Sequence, residues 1–280
     1  MPISLSIRIL AGLLAMLAAP QSVAPPAGLT FNATLGSIRL QARPGDVYTR
    51  QFQLSIDARQ HRTHFKAHFE DWWRSENGRE SFYAPPGTLH HSCAAWATAN
   101  PVESAVEPGD TMVVRFTIAV PREVVTGGYW CALTVDQVAD PETAHAGVGV
   151  QFLASISTGI FVDVGAVTRA ADITDVRVDA DRAVVSMRNV GDTPVPVDGR
   201  VEFLTRDGAA PAATVTIPRG TLLPERVTTG LFDAPLPAAD VLPDGRYLVR
   251  AVMDIGLDHY IGAEREIAVT REVSSGGLGR

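Results

Sequence analysis

Alternation with a period of two runs through most of the chain. In His64-Phe65-Lys66-Ala67-His68-Phe69 the odd positions are apolar and the even ones polar or basic. That is the pattern of a strand with one buried face. Val47 to Ile56, Thr111 to Val120 and Tyr129 to Val135 have the same apolar and β-branched character. Each run is bounded by turn chemistry: Arg43-Pro44-Gly45-Asp46, Glu107-Pro108-Gly109-Asp110 and Thr126-Gly127-Gly128. Beyond the first residues no window sustains an amphipathic helix for three turns. The pattern predicts an all-β chain.

The segment from Val148 to Val164 carries the strongest pattern. Val148, Val150, Phe152, Ala154, Ile156, Ile160, Val162 and Val164 share one parity, broken only at Thr158. The other parity holds Gly149, Gln151, Ser155, Ser157, Gly159 and Asp163. A strand of about 17 residues is far above the usual 5–6 and reaches from one sheet towards a second domain. After it, turns at Asn189-Val190-Gly191-Asp192, Thr205-Arg206-Asp207-Gly208 and Leu242-Pro243-Asp244-Gly245 punctuate a new set of apolar runs. About 100 residues with that rhythm fit an immunoglobulin-like β-sandwich. The expected organisation is therefore a leader over 1–24, a first sandwich over 28–165, a second over 171–270 and a flexible tail over 271–280.

Composition narrows the class. The 280 residues are 46% hydrophobic and 20% charged, an ordinary globular balance. With 24 basic against 31 acidic residues the formal charge is -7, the wrong sign for a generic nucleic-acid or anionic-membrane binder. Met1 to Ala19 reads as a secretory signal: Arg8, then the apolar run Ile9 to Ala19, ended by Pro20. That run is too short for a membrane helix, which needs about 20 residues. The expectation is an exported protein whose mature chain does not enter the membrane. In such a compartment the two cysteines, Cys93 and Cys131, favour a disulfide over two separately buried thiols. The bridge would close a loop of about 39 residues, worth roughly 4 kcal/mol.

Catalytic signatures are missing. There is no Gly-x-Ser-x-Gly, no phosphate-cradling glycine loop, no His-Glu-x-x-His and no Asp-rich calcium loop. His64 and His68 fall about 13 Å apart on a strand, which reads as a solvated face rather than a metal site. His90-His91-Ser92-Cys93 lacks a carboxylate partner in sequence. The reading is no enzyme, no metal and no cofactor. Trp72 and Trp73 point to opposite sides of a strand, one inward and one to the surface. Trp96 and Trp130 flank the cysteines and are expected to pack against them.

Taken in order, several motifs resemble a known group. They are Glu70-Asp71-Trp72-Trp73, Ser92-Cys93-Ala94-Ala95-Trp96, Val106-Glu107-Pro108-Gly109-Asp110 and Gly127-Gly128-Tyr129-Trp130. Their order is similar to the N-terminal domain of the PapD-like periplasmic pilus-assembly chaperones. Met187-Arg188-Asn189-Val190-Gly191 and Leu242-Pro243-Asp244-Gly245-Arg246-Tyr247 resemble the immunoglobulin-like module that follows it. The resemblance covers about residues 28–270. It implies two sandwiches, the first PapD-like, in the periplasm, binding an exported pilin-like subunit by β-strand addition. The strand donors would be Val148, Val150 and Phe152; the competing reading places them in the domain's own core. A structural or adhesive module of the cell envelope is the alternative function. In the family an Arg and a Lys in the inter-domain cleft hold the subunit's terminal carboxylate. Arg39 matches the Arg, whereas no Lys occurs near Thr158-Gly159. Either Arg39 acts alone or this branch has lost the capture.

Overall fold

Pro-Gly turns fix where the strands end. Gly45 and Gly109 both have positive φ, 89° and 82°, as the third residue of a type II turn requires. Asp46 N–H donates to Arg43 O and Asp110 N–H to Glu107 O, each at 3.0 Å. The computed structural model describes residues 31–33, 36–58, 62–75, 78–83, 86–138, 153–179, 181–205, 210–224 and 229–271. The expected leader and most of the expected tail lie outside them. Among the described residues no helix is long and apolar enough to cross a membrane.

The first sandwich has a four-stranded sheet of β1 (Phe31–Ala33), β3 (Val47–Ile56), β8 (Thr111–Ala119) and β6 (Ala97–Asn100). Opposite it, β2 (Ile38–Ala42), β10 (Ser155–Val164), β9 (Gly127–Val138), β4 (Thr63–Arg74) and β5 (Glu80–Tyr83) lie side by side, with β7 (Glu103–Val106) also on β4. Alternation sets the inner face: Phe65, Ala67 and Phe69 of β4 meet Phe52, Leu54, Phe116, Ile118, Leu133 and Val162. The second sandwich pairs β11 (Ala171–Asp179), β12 (Arg182–Asn189) and β15 (Gly230–Pro235). Its other sheet runs β14 (Pro211–Leu222), β13 (Val195–Leu204), β16 (Gly245–Asp254), β17 (Ile261–Val269). Met187, Val197, Phe203, Val249 and Met253 are central to its core.

Both sandwiches carry the same small device. Tyr129 O–H donates to Val125 O at 3.0 Å, and Tyr247 O–H to Pro243 O at 2.8 Å, each four residues back. This is the tyrosine corner of immunoglobulin-like folds. Two residues after Tyr129, Cys131 is joined to Cys93 in a disulfide with Cα atoms 5.2 Å apart. The bridge ties the 86–93 loop to β9. The carboxylate of Asp71, fully buried, holds the same loop by accepting from Gly87 N–H and Leu89 N–H at 2.7 Å each and from the Ser92 hydroxyl.

Three expectations need correction. The long strand begins at Ser155, with Leu153 and Ala154 outside it, and 139–152 are not among the described residues. Within β10 both parities are buried from Ile160 onward, since the second sandwich roofs the outer face over Phe161 and Asp163. Trp130 turns away from the disulfide, as a neighbour of Cys131 in a strand must. It joins Trp72, Ala132, Phe161 and Leu223 in a separate apolar cluster on the outer face, and Trp73 packs against that cluster instead of facing solvent alone. Trp96 does pack on the first core, 4.6 Å from Tyr129.

Candidate functional site

One strand of the first sandwich is paired on both sides for only half its length. β10 pairs with β9 continuously, from Ser155 opposite Asp136 to Val164 opposite Gly127. On its other side β2 runs parallel to it and covers only Ile160 to Val164. Among the described residues no strand pairs with that side of Ser155–Gly159. The Thr158 hydroxyl donates to Gly36 O at 3.0 Å, which marks where the incoming chain of β2 closes the lane. Val148, Val150 and Phe152, the sequence's strand-donor candidates, lie outside the described residues.

Past the closed end of the lane, a cleft of about 470 Å³ opens between the sandwiches. Ser37, Arg39, Arg74, Glu80, Phe161 and Arg219 line it, with the Gly220–Thr221 backbone. Arg39 enters from β2 and already has protein partners. Its Nη1 lies 3.3 Å from both carboxylate oxygens of Asp163, its Nη2 donates to Pro194 O at 2.8 Å, and its guanidinium sits 5.0 Å above the Phe161 ring. Burial lowers the Arg39 pKa from its ordinary value, against the opposing attraction of Asp163. Asp163 also accepts from Arg169 and from the Thr193 hydroxyl of the second sandwich.

Arg74 is the cation that sequence reasoning missed. It ends β4, crosses to the second sandwich, donates to Thr221 O at 3.4 Å and lies 5.6 Å from the Phe232 ring. Gly220 leaves room for it, because a Cβ there would stand 2.7 Å from Arg74 Nη1. Arg219 faces Asp198 at 3.4 Å. Among the described residues Arg74 makes no ion pair, although Glu80 lines the same cleft. The sequence had one weak signal for it, an Arg directly after an apolar strand end.

His90 and His91 lie together, ring centroids 4.8 Å apart, but among the described residues the histidines build no metal site. His68 Nε2 contacts Glu70 while its Nδ1 lies 3.6 Å from Asp136, so its two nitrogens face different carboxylates. His91 stacks on Trp130 with ring centroids 5.5 Å apart. His61 lies outside the described residues. Among those residues no three His, Cys, Asp or Glu side chains are placed to share a metal ion.

No protein-family model and no curated protein sequence matches the chain. Solved structures do. The chain is similar to the class 5 fimbriae chaperone CfaA, at 10% identity and a TM-score of 0.47, over 84% of this chain and 99% of that one. It is similar to the Pseudomonas aeruginosa CupB2 chaperone, at 15% identity and 0.45, over 85% and 100%. It is also similar to the structure of the Salmonella enterica SafA pilin in complex with the SafB chaperone, at 9% identity and 0.42, over 86% and 97%. The two β-sandwiches of this chain stand on its own strand pairing.

Proposed function

We propose that the chain is a periplasmic chaperone-like protein that binds an exported subunit by β-strand addition. The observation that carries this reading is the half-open edge of β10 at Ser155–Ser157, short of the Gly36 contact at Thr158, beside a cleft whose Arg74 makes no ion pair among the described residues. An open edge offers unpaired backbone donors and acceptors, which a guest strand satisfies. Charge sets the guest's direction. A guest parallel to β10 brings its carboxyl end to Arg74 and Arg39, while an antiparallel one would bring an ammonium group there. Arg74 then does the work for which no Lys is present near Thr158-Gly159. In this proposal Val148, Val150 and Phe152, just upstream of the edge, supply alternating apolar side chains to the guest.

Two measurements test it. An acetylated nonapeptide of alternating Val and Thr is titrated into the full chain, once with a free carboxylate and once amidated. The carboxylate form binds at least tenfold more tightly, and Arg74→Gln removes the difference. Equal binding of the two forms counts against the carboxylate anchor. Phe152→Asp abolishes binding without unfolding the protein; if it unfolds instead, Phe152 is a core residue and the donor assignment fails.

A further inference from the structure

Directly between the open edge and the cleft lies a depression on the outer face of the same sheet. Its floor is made of two positions without bulk, Ala132 on β9 and Gly159 on β10, which face each other in the register. Its walls are Trp72, Phe82 and Phe161, and its volume is about 150 Å³. Trp72 and Phe161 meet edge to face at 6.1 Å, so the wall is rigid on that side. A Cβ on Gly159 would come within 3.1 Å of the Phe161 ring, so the floor stays open only with glycine there.

Two further observations point to an occupant. Phe82 is 42% exposed although it borders an apolar hollow. Trp72 is only 5% exposed, and its indole N–H has no acceptor among the described residues. A buried indole donor ordinarily finds a partner.

We propose that this hollow is a side-chain specificity pocket for the guest strand, taking an apolar residue of leucine or methionine size. The inference rests on the strand-addition reading and deepens it. Register supplies the position. Ser157, Gly159 and Phe161 share the outer face of β10, and Ser37, where β2 enters the lane, lines the same hollow. A guest lying in that lane therefore turns every second side chain outward, and the one beside Ser157 projects over the Ala132–Gly159 floor. The hollow adjoins the cleft that Arg39, Arg74 and Arg219 line, sharing Ser37, Glu80, Phe161 and Thr221 with it. The occupant is thus a residue close to a free carboxyl end.

The test uses the acetylated Val/Thr nonapeptide with a free carboxylate, carrying Leu, Met, Ala or Asp at the outward position nearest its end. Titrated into the full chain, the Leu and Met peptides bind about tenfold more tightly than the Ala peptide. The Asp peptide binds more weakly still. Ala132→Leu, which fills the floor, abolishes the preference for Leu and Met over Ala. Phe82→Ala, on an exposed wall, reduces the preference in a variant with no reason to misfold. Binding that ignores the side chain, or a preference that survives both variants, overturns the pocket and leaves strand addition standing. Failure of every peptide to bind overturns strand addition and the pocket together.

Discussion

Arg39 and Asp163 belong to two parallel strands of one sheet, yet their 3.3 Å contact is also where the second sandwich is attached. The Asp163 carboxylate, 1% exposed, takes the Thr193 hydroxyl from the second sandwich and Arg169 from the connecting segment. Removing its charge leaves two part-buried guanidinium groups facing a neutral amide. Asp163→Asn is expected to lower stability by about 3 kcal/mol, because breaking a buried pair from one side costs far more than the pair contributes. Urea denaturation measures it. A change below about 0.5 kcal/mol would mean that Arg39 and Arg169 find other acceptors.

The sandwiches also meet backbone to backbone. Gly128 N–H donates to Asp192 O at 2.8 Å, and a Cβ on Gly128 would stand 2.5 Å from Thr193 Cα. Gly128→Ala should therefore separate the two sandwiches while each keeps its core. Calorimetry would show one transition becoming two, and small-angle scattering an increased radius of gyration. A single unchanged transition would show that the contact yields easily.

Loss of the disulfide should be expensive. In the Cys93→Ser, Cys131→Ser double variant the unfolded chain regains the freedom of a loop with sequence separation 38. The expected loss is about 4 kcal/mol in the chain-entropy description. The folded state should keep the 86–93 loop in place, since Asp71 holds it independently. Denaturation midpoints give the first quantity and limited proteolysis within 86–93 the second.

Acid should act through His91. Burial, and then the neighbouring His90, lower its pKa from the ordinary value, with the Gly128 backbone opposing. Its Nδ1 is buried without a hydrogen-bond partner among the described residues, and the residue lines a hollow shared with Asp192 of the second sandwich. A base whose pKa is lower folded than unfolded takes up its proton more readily in the unfolded chain. Its neutral form is therefore no liability above about pH 7, and stability declines as pH falls through about 6.5. The protein should lose stability relative to His91→Phe between pH 7 and pH 5, measured as melting temperature against pH. Parallel profiles would assign the acid sensitivity elsewhere.

Much of the architecture is legible in the residues themselves. β3 coincides with the Val47–Ile56 run, and β8 stops one residue short of the expected end, since Pro-Gly turns and strict alternation are local signals. The second faces were harder. Phe161 and Asp163 sit on the parity that reads as polar, and their burial comes from a sandwich that folds later in the chain. Arg39 was reached through the motif around it. Arg74 could not be, because its surroundings are Thr221 and Phe232, about 150 positions away, and only the fold brings them together. The same holds for the Ala132–Gly159 floor, two small residues that look unremarkable in sequence and acquire meaning by facing each other.

The parallel pairing of β2 with the last five residues of β10 has a consequence for timing. A lane blocked at one end would admit a guest strand only up to the barrier, so that in the proposed reading a terminus is met there and not an internal stretch. Polypeptides acquire a free carboxyl end only when their synthesis is over. Under the proposed strand addition, a half-closed edge with a cation at the barrier would thus distinguish completed chains from those still emerging.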